Sequence, residues 1–187
     1  MTQADYYWLH ALAGTNYENV QKVGAFDFLV QKKEEGRIRH IGFSFHDSPE
    51  LLERILKEHP ETEYVQLQLN YLDWDDAALR AKECYGIATR HGKPVIVMEP
   101  IKGGALANIP EKADEILKAQ TPGLSTASWA IRFAATHENM MMVLSGMSNM
   151  EQVADNLSYM KDFKPLSEAE MKALKQAADI IRSGIAI

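Results

Sequence analysis

Imidazole, hydroxyl and amide side chains recur in this chain where apolar runs end. His10 closes Asp5-Tyr6-Tyr7-Trp8-Leu9-His10, a short β-prone run that is apolar on both faces. Ser44 and His46 close the run that starts at Ile38, and Gln66, Gln68 and Asn70 alternate with Leu67 and Leu69. Glu99 and Lys102-Gly103-Gly104 follow residues 94–98, and Ser145-Gly146-Met147-Ser148-Asn149 follow residues 140–144. An imidazole at a strand end can polarise a carbonyl or move a proton, or it can be a satisfied structural group. The glycines let backbone N–H groups approach a ligand closely. Ser148 and Asn149 stand at a helix start, where orphan donors and the dipole attract an anion; the plainer alternative is that Ser148 only caps its helix. Gln66 and Gln68 line one strand face with amides, which need partners, and a ligand carboxamide is one such partner.

The remaining titratable groups read as structural. His40 and His46 bracket one strand and lie roughly 20 Å apart, too far to share a metal. His59, His91 and His137 fall near helix C-terminal ends, where a cation suits the dipole. No His, Cys or Asp spacing resembles a zinc or iron site, so no metal is expected. The lone cysteine, Cys84, lies in a helical pattern and reads as a buried, inert thiol, which points to a reducing, cytoplasmic setting. Trp8 and Trp74 read as packing.

Strands and helices alternate to position these groups. Strands are expected at residues 5–10, 38–45, 64–69, 94–98 and 140–144. Helices are expected at 26–35, from the Asp47-Ser48-Pro49-Glu50 cap to about 59, at 75–91, in part of 111–118, and at 125–136. Two capping-box patterns, Ser148 to Glu151 and Ser167 to Glu170, open helices to about 160 and 182. A strand apolar on both faces suits a covered parallel sheet. Alternation of about five βα units plus a last helix implies right-handed crossovers and parallel pairing. Two architectures fit: a doubly wound sheet, or an arc of a (β/α)8 barrel, whose full form needs about 250 residues. Either one gathers function at the C-terminal ends of the strands.

The 187 residues read as one α/β domain spanning 1–187. Such a chain buries roughly 70% of its unfolded surface. Hydrophobic content of 46% and charged content of 25% are ordinary for a globular chain. The net charge of -6 argues against a nucleic-acid partner, since phosphate neutralisation needs clustered Lys and Arg. No apolar run is long enough to span a membrane, and Met1-Thr2-Gln3-Ala4-Asp5 has neither the basic nor the apolar region of a signal peptide.

Five segments in order, Asp5 to His10, Ile38 to Ser44, Val65 to Tyr71, Glu99 to Gly104 and Ser145 through Leu157, resemble the aldo/keto reductases over nearly the whole chain. The chain is most similar to the branch that often carries a 4Fe-4S ferredoxin-like extension. The resemblance implies a partial (β/α)8 TIM barrel that binds NADPH, with NADH possible, and reduces a small carbonyl substrate. It places His10 as the active-site histidine and Ser44 and Gln66 at the nicotinamide carboxamide. Met98 falls where many relatives carry an aromatic ring. Gly103 and Gly104 match the pyrophosphate loop, and Gly146, Met147 and Ser148 match the loop at the adenosine phosphate. Gln152, Asp155 and Asn156 match adenine-side positions. Many NADPH-specific members carry Lys and Arg where Gly146 and Gln152 stand.

The resemblance places the family's catalytic tyrosine, lysine and aspartate on the first three βα units, ahead of the segments matched here, and none of the tyrosines of this chain sits in the family's tyrosine motif. The catalytic set is incomplete, and weak or no turnover is expected of this length of chain. The alternative from another class is a non-catalytic cofactor-binding or assembly protein whose open sheet edges pair in a homo-oligomer. A sugar-phosphate barrel enzyme is a weaker third reading, since the amide-lined strand and the Asp155-Asn156 pair suit a dinucleotide better.

Overall fold

Residues 3–184 are described by a computed structural model. Met1 and Thr2, part of the opening read for a leader, lie outside the described residues. Five parallel strands alternate with helices and pair as one sheet in the order β1-β2-β3-β4-β5. The architecture is α/β, an arc of a (β/α)8 barrel. The chain divides into two compact units, Met1–Gln68 with Asp76–Ile96, and Leu69–Asp75 with Val97–Ile187.

The first unit holds β1 (Ala4–Leu12), α1 (Tyr17–Lys22), α2 (Ala25–Glu34), β2 (Ile38–Phe45), α3 (Pro49–Glu58), β3 (Tyr64–Gln68) and α4 (Ala81–Arg90). The register sets Trp8 opposite Gly42 and Ser44 opposite Gln66. Ile41, Phe43, Phe45, Val65 and Leu67 are buried on β2 and β3, as are Leu52, Ile55 and Leu56 on α3. The α3 start is as its residue types dictate: Ser48 caps by accepting the Leu51 N–H, and Pro49 opens the first turn. Asp47 is drawn instead to the Gly14 and Ser48 N–H groups, which hold its carboxyl below the usual range. His59 and His91 are the C-cap residues of α3 and α4. Cys84 is buried, and burial pushes its thiol up to about 11.

Three sequence expectations change in this unit. The first strand runs on past His10 to Leu12, and it is not covered on both faces: Tyr6 and Tyr7 are 44% and 48% exposed. The reason is its place in the sheet, because β1 pairs only with β2 and so forms an edge. Helix α1 follows the Ala13-Gly14-Thr15-Asn16 loop where no helix was expected. The helix expected at 75–91 begins only at Ala81. The Asp76 carboxylate accepts the Ala78 and Leu79 N–H groups in a turn, and Arg80 then adopts φ 48°. Side-chain bonding of this kind competes with helix formation.

The second unit holds the end of β4 (Val95–Met98), a 3₁₀ turn (Lys102–Ala107), α5 (Glu111–Gln120), α6 (Thr126–Thr136), β5 (Met140–Val143), α7 (Met150–Met160) and α8 (Glu168–Ser183). Helix α6 is its centre, with Trp129, Ala130, Phe133 and Ala134 all buried. A helix buried around most of its circumference is a core helix. Arg132, nearly buried on α6, pairs with Glu170 of α8 at 2.7 Å. Burial works to raise the Glu170 carboxyl, but the Ser167 N–H and the Arg132 guanidinium outweigh it and hold the group at about 2. Ser167 and Glu170 form the expected capping box. The other expected box is absent: Asn149, not Ser148, caps α7 by accepting the Gln152 N–H.

Gly42 marks the tightest approach in the first unit. A Cβ there would lie 2.5 Å from the Tyr64 carbonyl oxygen and 2.8 Å from the Tyr64 ring. Gly42→Ala is therefore expected to cost about 2–4 kcal/mol, read as a lowered denaturant midpoint. An unchanged midpoint would contradict the packing of β2 on β3 described here.

Candidate functional site

In the first unit the ends of three strands bring one side chain each into a row. The pairing of β1 with β2 shifts between Leu9 and Leu12, and Ala11 sits at φ 54°. Such a bulge re-aims the residues beside it, and a non-glycine residue at positive φ persists only where its surroundings hold it. The holding contacts are local. The Ala11 N–H donates to Ser44 Oγ at 2.6 Å, and Asn16 Nδ2 donates to the Ala11 carbonyl at 2.8 Å. Asn16 Oδ1 in turn accepts the Ala13 N–H.

His10, just before the bulge, is exposed, and its Nδ1 lies 3.4 Å from Ser44 Oγ. Ser44 is fully buried, and Gln66 stands opposite it across the ladder. Ser44 Oγ accepts from Ala11 and still has its proton, and a second lone pair, to offer His10 Nδ1. An imidazole that accepts at Nδ1 keeps its proton on Nε2, which is then a hydrogen-bond donor.

In the second unit, the turns after β4 and β5 enclose a cavity of about 530 Å³. Met98, Gly103, Gly104, Gly146, Met147, Gln152, Asp155 and Asn156 all line it. So do Glu99, Ser145 and Leu144. Four of the six residues 99–104 are left-handed: φ is 55° at Glu99, 49° at Lys102, 60° at Gly103 and 93° at Gly104. A residue with a Cβ adopts that region at a cost, which is why two glycines stand in series. Lys102 folds away from the cavity, and its ammonium donates to Asp73 Oδ1 at 2.6 Å. Asn70 bonds the same carboxylate at Oδ2 and also accepts the Leu72 and Asp73 N–H groups, which fixes the turn after β3.

The second turn is joined to α6 and α7 by side chains. Ser125 caps α6 and donates its hydroxyl proton to Asp155 Oδ2 at 2.6 Å. Asn156 Nδ2 donates to Ser145 Oγ at 3.0 Å. Ser148 is absent from the lining. Its N–H and its hydroxyl both donate to Gln152 Oε1, at 2.7 and 3.2 Å.

The sequence-predicted residues thus fall into two groups: His10, Ser44 and Gln66 in one unit, and Met98 through Asn156 in the other. Sequence reading missed Asn16 and Asp73, whose roles are to hold loops that no periodicity marks. Among the described residues no three His, Cys, Asp or Glu side chains meet in a group that could hold a metal ion. Among the same residues no helix is long and apolar enough to cross a membrane.

Ser44→Ala is expected to leave the Ala11 N–H without its partner and to cost about 1–3 kcal/mol. The same change should alter the His10 ring-nitrogen shifts in ¹⁵N NMR. Unchanged stability together with unchanged shifts would contradict the Ala11–Ser44–His10 arrangement.

Known proteins match the chain in family pattern and in fold. The model of the aldo/keto reductase family matches residues 1–179. None of the curated proteins compared matches the chain. Among solved structures, an aldo-keto reductase from Bacillus halodurans in its holo form superposes with a TM-score of 0.71 at 22% identity, over 95% of this chain and 59% of that one. A glycerol dehydrogenase from Gluconobacter oxydans gives 0.72 at 19% identity, over 100% and 62%. An aldo/keto reductase from Klebsiella pneumoniae in complex with NADP and acetate gives 0.70 at 18% identity, over 94% and 59%. This chain therefore spans between 59% and 62% of the length of these three. At these identities the superpositions establish the fold, and the family match over residues 1–179 establishes the lineage: the chain belongs to the aldo/keto reductase family.

Proposed function

We propose that this chain is the cofactor-binding portion of an NAD(P)H-dependent carbonyl oxidoreductase that acts on a small aldehyde or ketone. The observation that carries the reading is the cavity of about 530 Å³ between two glycine-bearing turns. Its donor set fits a dinucleotide. Gly103 and Gly104 keep side chains out of the first turn, and nothing lies within 4 Å of the Cβ position at Gly146 or Gly104. Asp155 and Asn156 offer acceptors and amide groups on the adenosine side. The Klebsiella neighbour, crystallised with NADP, supports the same ligand class.

A reduced nicotinamide, when bound, supplies a hydride. The chain's own residues do the rest. Within the first unit, Gln66 and Ser44 carry an amide and a hydroxyl of the kind that pairs with a carboxamide. His10, accepting at Nδ1 from Ser44, presents its Nε2–H to the substrate carbonyl oxygen and stabilises the charge that develops there. The resulting alkoxide needs a proton, and His10 is the one titratable group that the chain offers in this row. Turnover by this chain alone is accordingly expected to be slow. A lone, buried thiol is consistent with work in the cytoplasm.

Titration of the protein with NADH and NADPH, followed by tryptophan fluorescence, tests the reading. Saturable binding with Kd in about the 10 µM to 1 mM range is expected. Gly146→Trp, which fills open space at the cavity lip, should abolish it. His10→Ala should leave binding intact and lower any aldehyde-dependent oxidation of the cofactor by about 10²–10⁴-fold. Failure to bind either dinucleotide would contradict the proposal.

A further inference from the structure

We infer that the cavity of the second unit selects the dinucleotide without a 2′-phosphate, NADH over NADPH. The inference rests on the reading of that cavity as a dinucleotide site and goes one step further, to which dinucleotide it takes. NADH and NADPH differ only by a phosphomonoester on the adenosine ribose, which carries close to two negative charges at neutral pH. Among the described residues the lining of the cavity contains two carboxylates, Glu99 and Asp155, and no lysine or arginine. The one cation in the adjoining turn, Lys102, is committed to Asp73 at 2.6 Å and does not line the cavity.

Three donors that could replace a cation are also in use. At the entry of α7 the Ser148 N–H and hydroxyl both donate to Gln152 Oε1, and the Gln152 N–H donates to Asn149 Oδ1 at 2.9 Å. The Ser148 N–H and hydroxyl and the Gln152 N–H are thus already paired within the helix start, and an anion drawing on them would have to displace those bonds. A ribose diol makes the opposite demand, because it has two hydroxyl donors to place. A carboxylate beside the adenosine site accepts from a ribose 2′-hydroxyl and repels a 2′-phosphate. Asp155 is suited to this role, since Ser125 orients the carboxylate through Oδ2.

The test is calorimetric titration of the full chain with NADH, NADPH, ADP-ribose and 2′-phospho-ADP-ribose at low salt. NADH is expected to bind at least about tenfold more tightly than NADPH. ADP-ribose should lead its 2′-phosphorylated form by a similar factor, since that pair removes the nicotinamide from the comparison. The gap should narrow as salt is raised, because screening weakens repulsion between exposed charges. Installing cations should reverse the order. Gly146→Lys enters space where no atom lies within 4 Å of the Cβ position, and Gln152→Arg adds a guanidinium donor at the lip. The double variant should gain about tenfold or more for NADPH. Equal or tighter NADPH binding by the unaltered chain would overturn the inference while leaving the dinucleotide reading intact. Binding of neither dinucleotide would remove the dinucleotide reading and the inference with it.

Discussion

Parallel pairing is the constraint on which everything else depends. Strands that run the same way finish at the same edge, so the residues just past each strand are gathered there without any further device. In the first unit this sets His10, Ser44 and Gln66 in a row across β1, β2 and β3. In the second it brings the turn after β4 beside the turn after β5, where the Leu144 N–H, just past β5, donates to the Val97 carbonyl of β4 at 2.9 Å. What must be added is a change of chain direction at each strand end. At two of the five ends left-handed backbone makes that change: Ala11 just past His10, and Glu99, Lys102, Gly103 and Gly104 after β4. Strain at Ala11 is held by the buried hydroxyl of Ser44 and the amide of Asn16. Fold and chemistry are therefore joined at single residues, because Ser44 both fixes the bulge and faces the imidazole.

Local patterns with one dominant cause were legible in the sequence. The strand Ile38–Phe45 was read with its boundaries, and a helix start at Asp47-Ser48-Pro49 was read with the cap open between Asp47 and Ser48; Ser48 takes it. The Ser167-Glu170 capping box was equally plain. Where two side chains compete for the same backbone donors, the sequence did not decide. Ser148 and Asn149 are both good caps; Asn149 takes the role, and Ser148 is left to Gln152. The stretch before Ala81 has helical spacing, yet the Asp76 carboxylate closes a turn first. Exposure of β1 was not legible either. An apolar strand looks alike whether it sits in the middle of a sheet or at its edge, and that placement is a tertiary fact.

For the candidate site, residue types were visible and commitments were not. Gly103, Gly104 and Gly146 announce themselves by composition. That Lys102 turns to Asp73 rather than to a ligand is a matter of three-dimensional pairing, and so is the pull of Ser125 on Asp155. These commitments decide the electrostatics. A lysine in a glycine turn looks like an anion ligand in the sequence, whereas in the folded chain it neutralises a carboxylate and leaves the cavity with Glu99 and Asp155.

The central claim is that the two glycine turns of the second unit hold the phosphate and adenosine parts of a dinucleotide. Backbone amide chemical shifts of the ¹⁵N-labelled protein, followed during addition of ADP-ribose, test it most directly. The account predicts that the largest perturbations fall on Gly103, Gly104, Gly146, Met147 and the first turn of α7. Shifts confined to other parts of the chain, or no saturable shift at millimolar ADP-ribose, would contradict it.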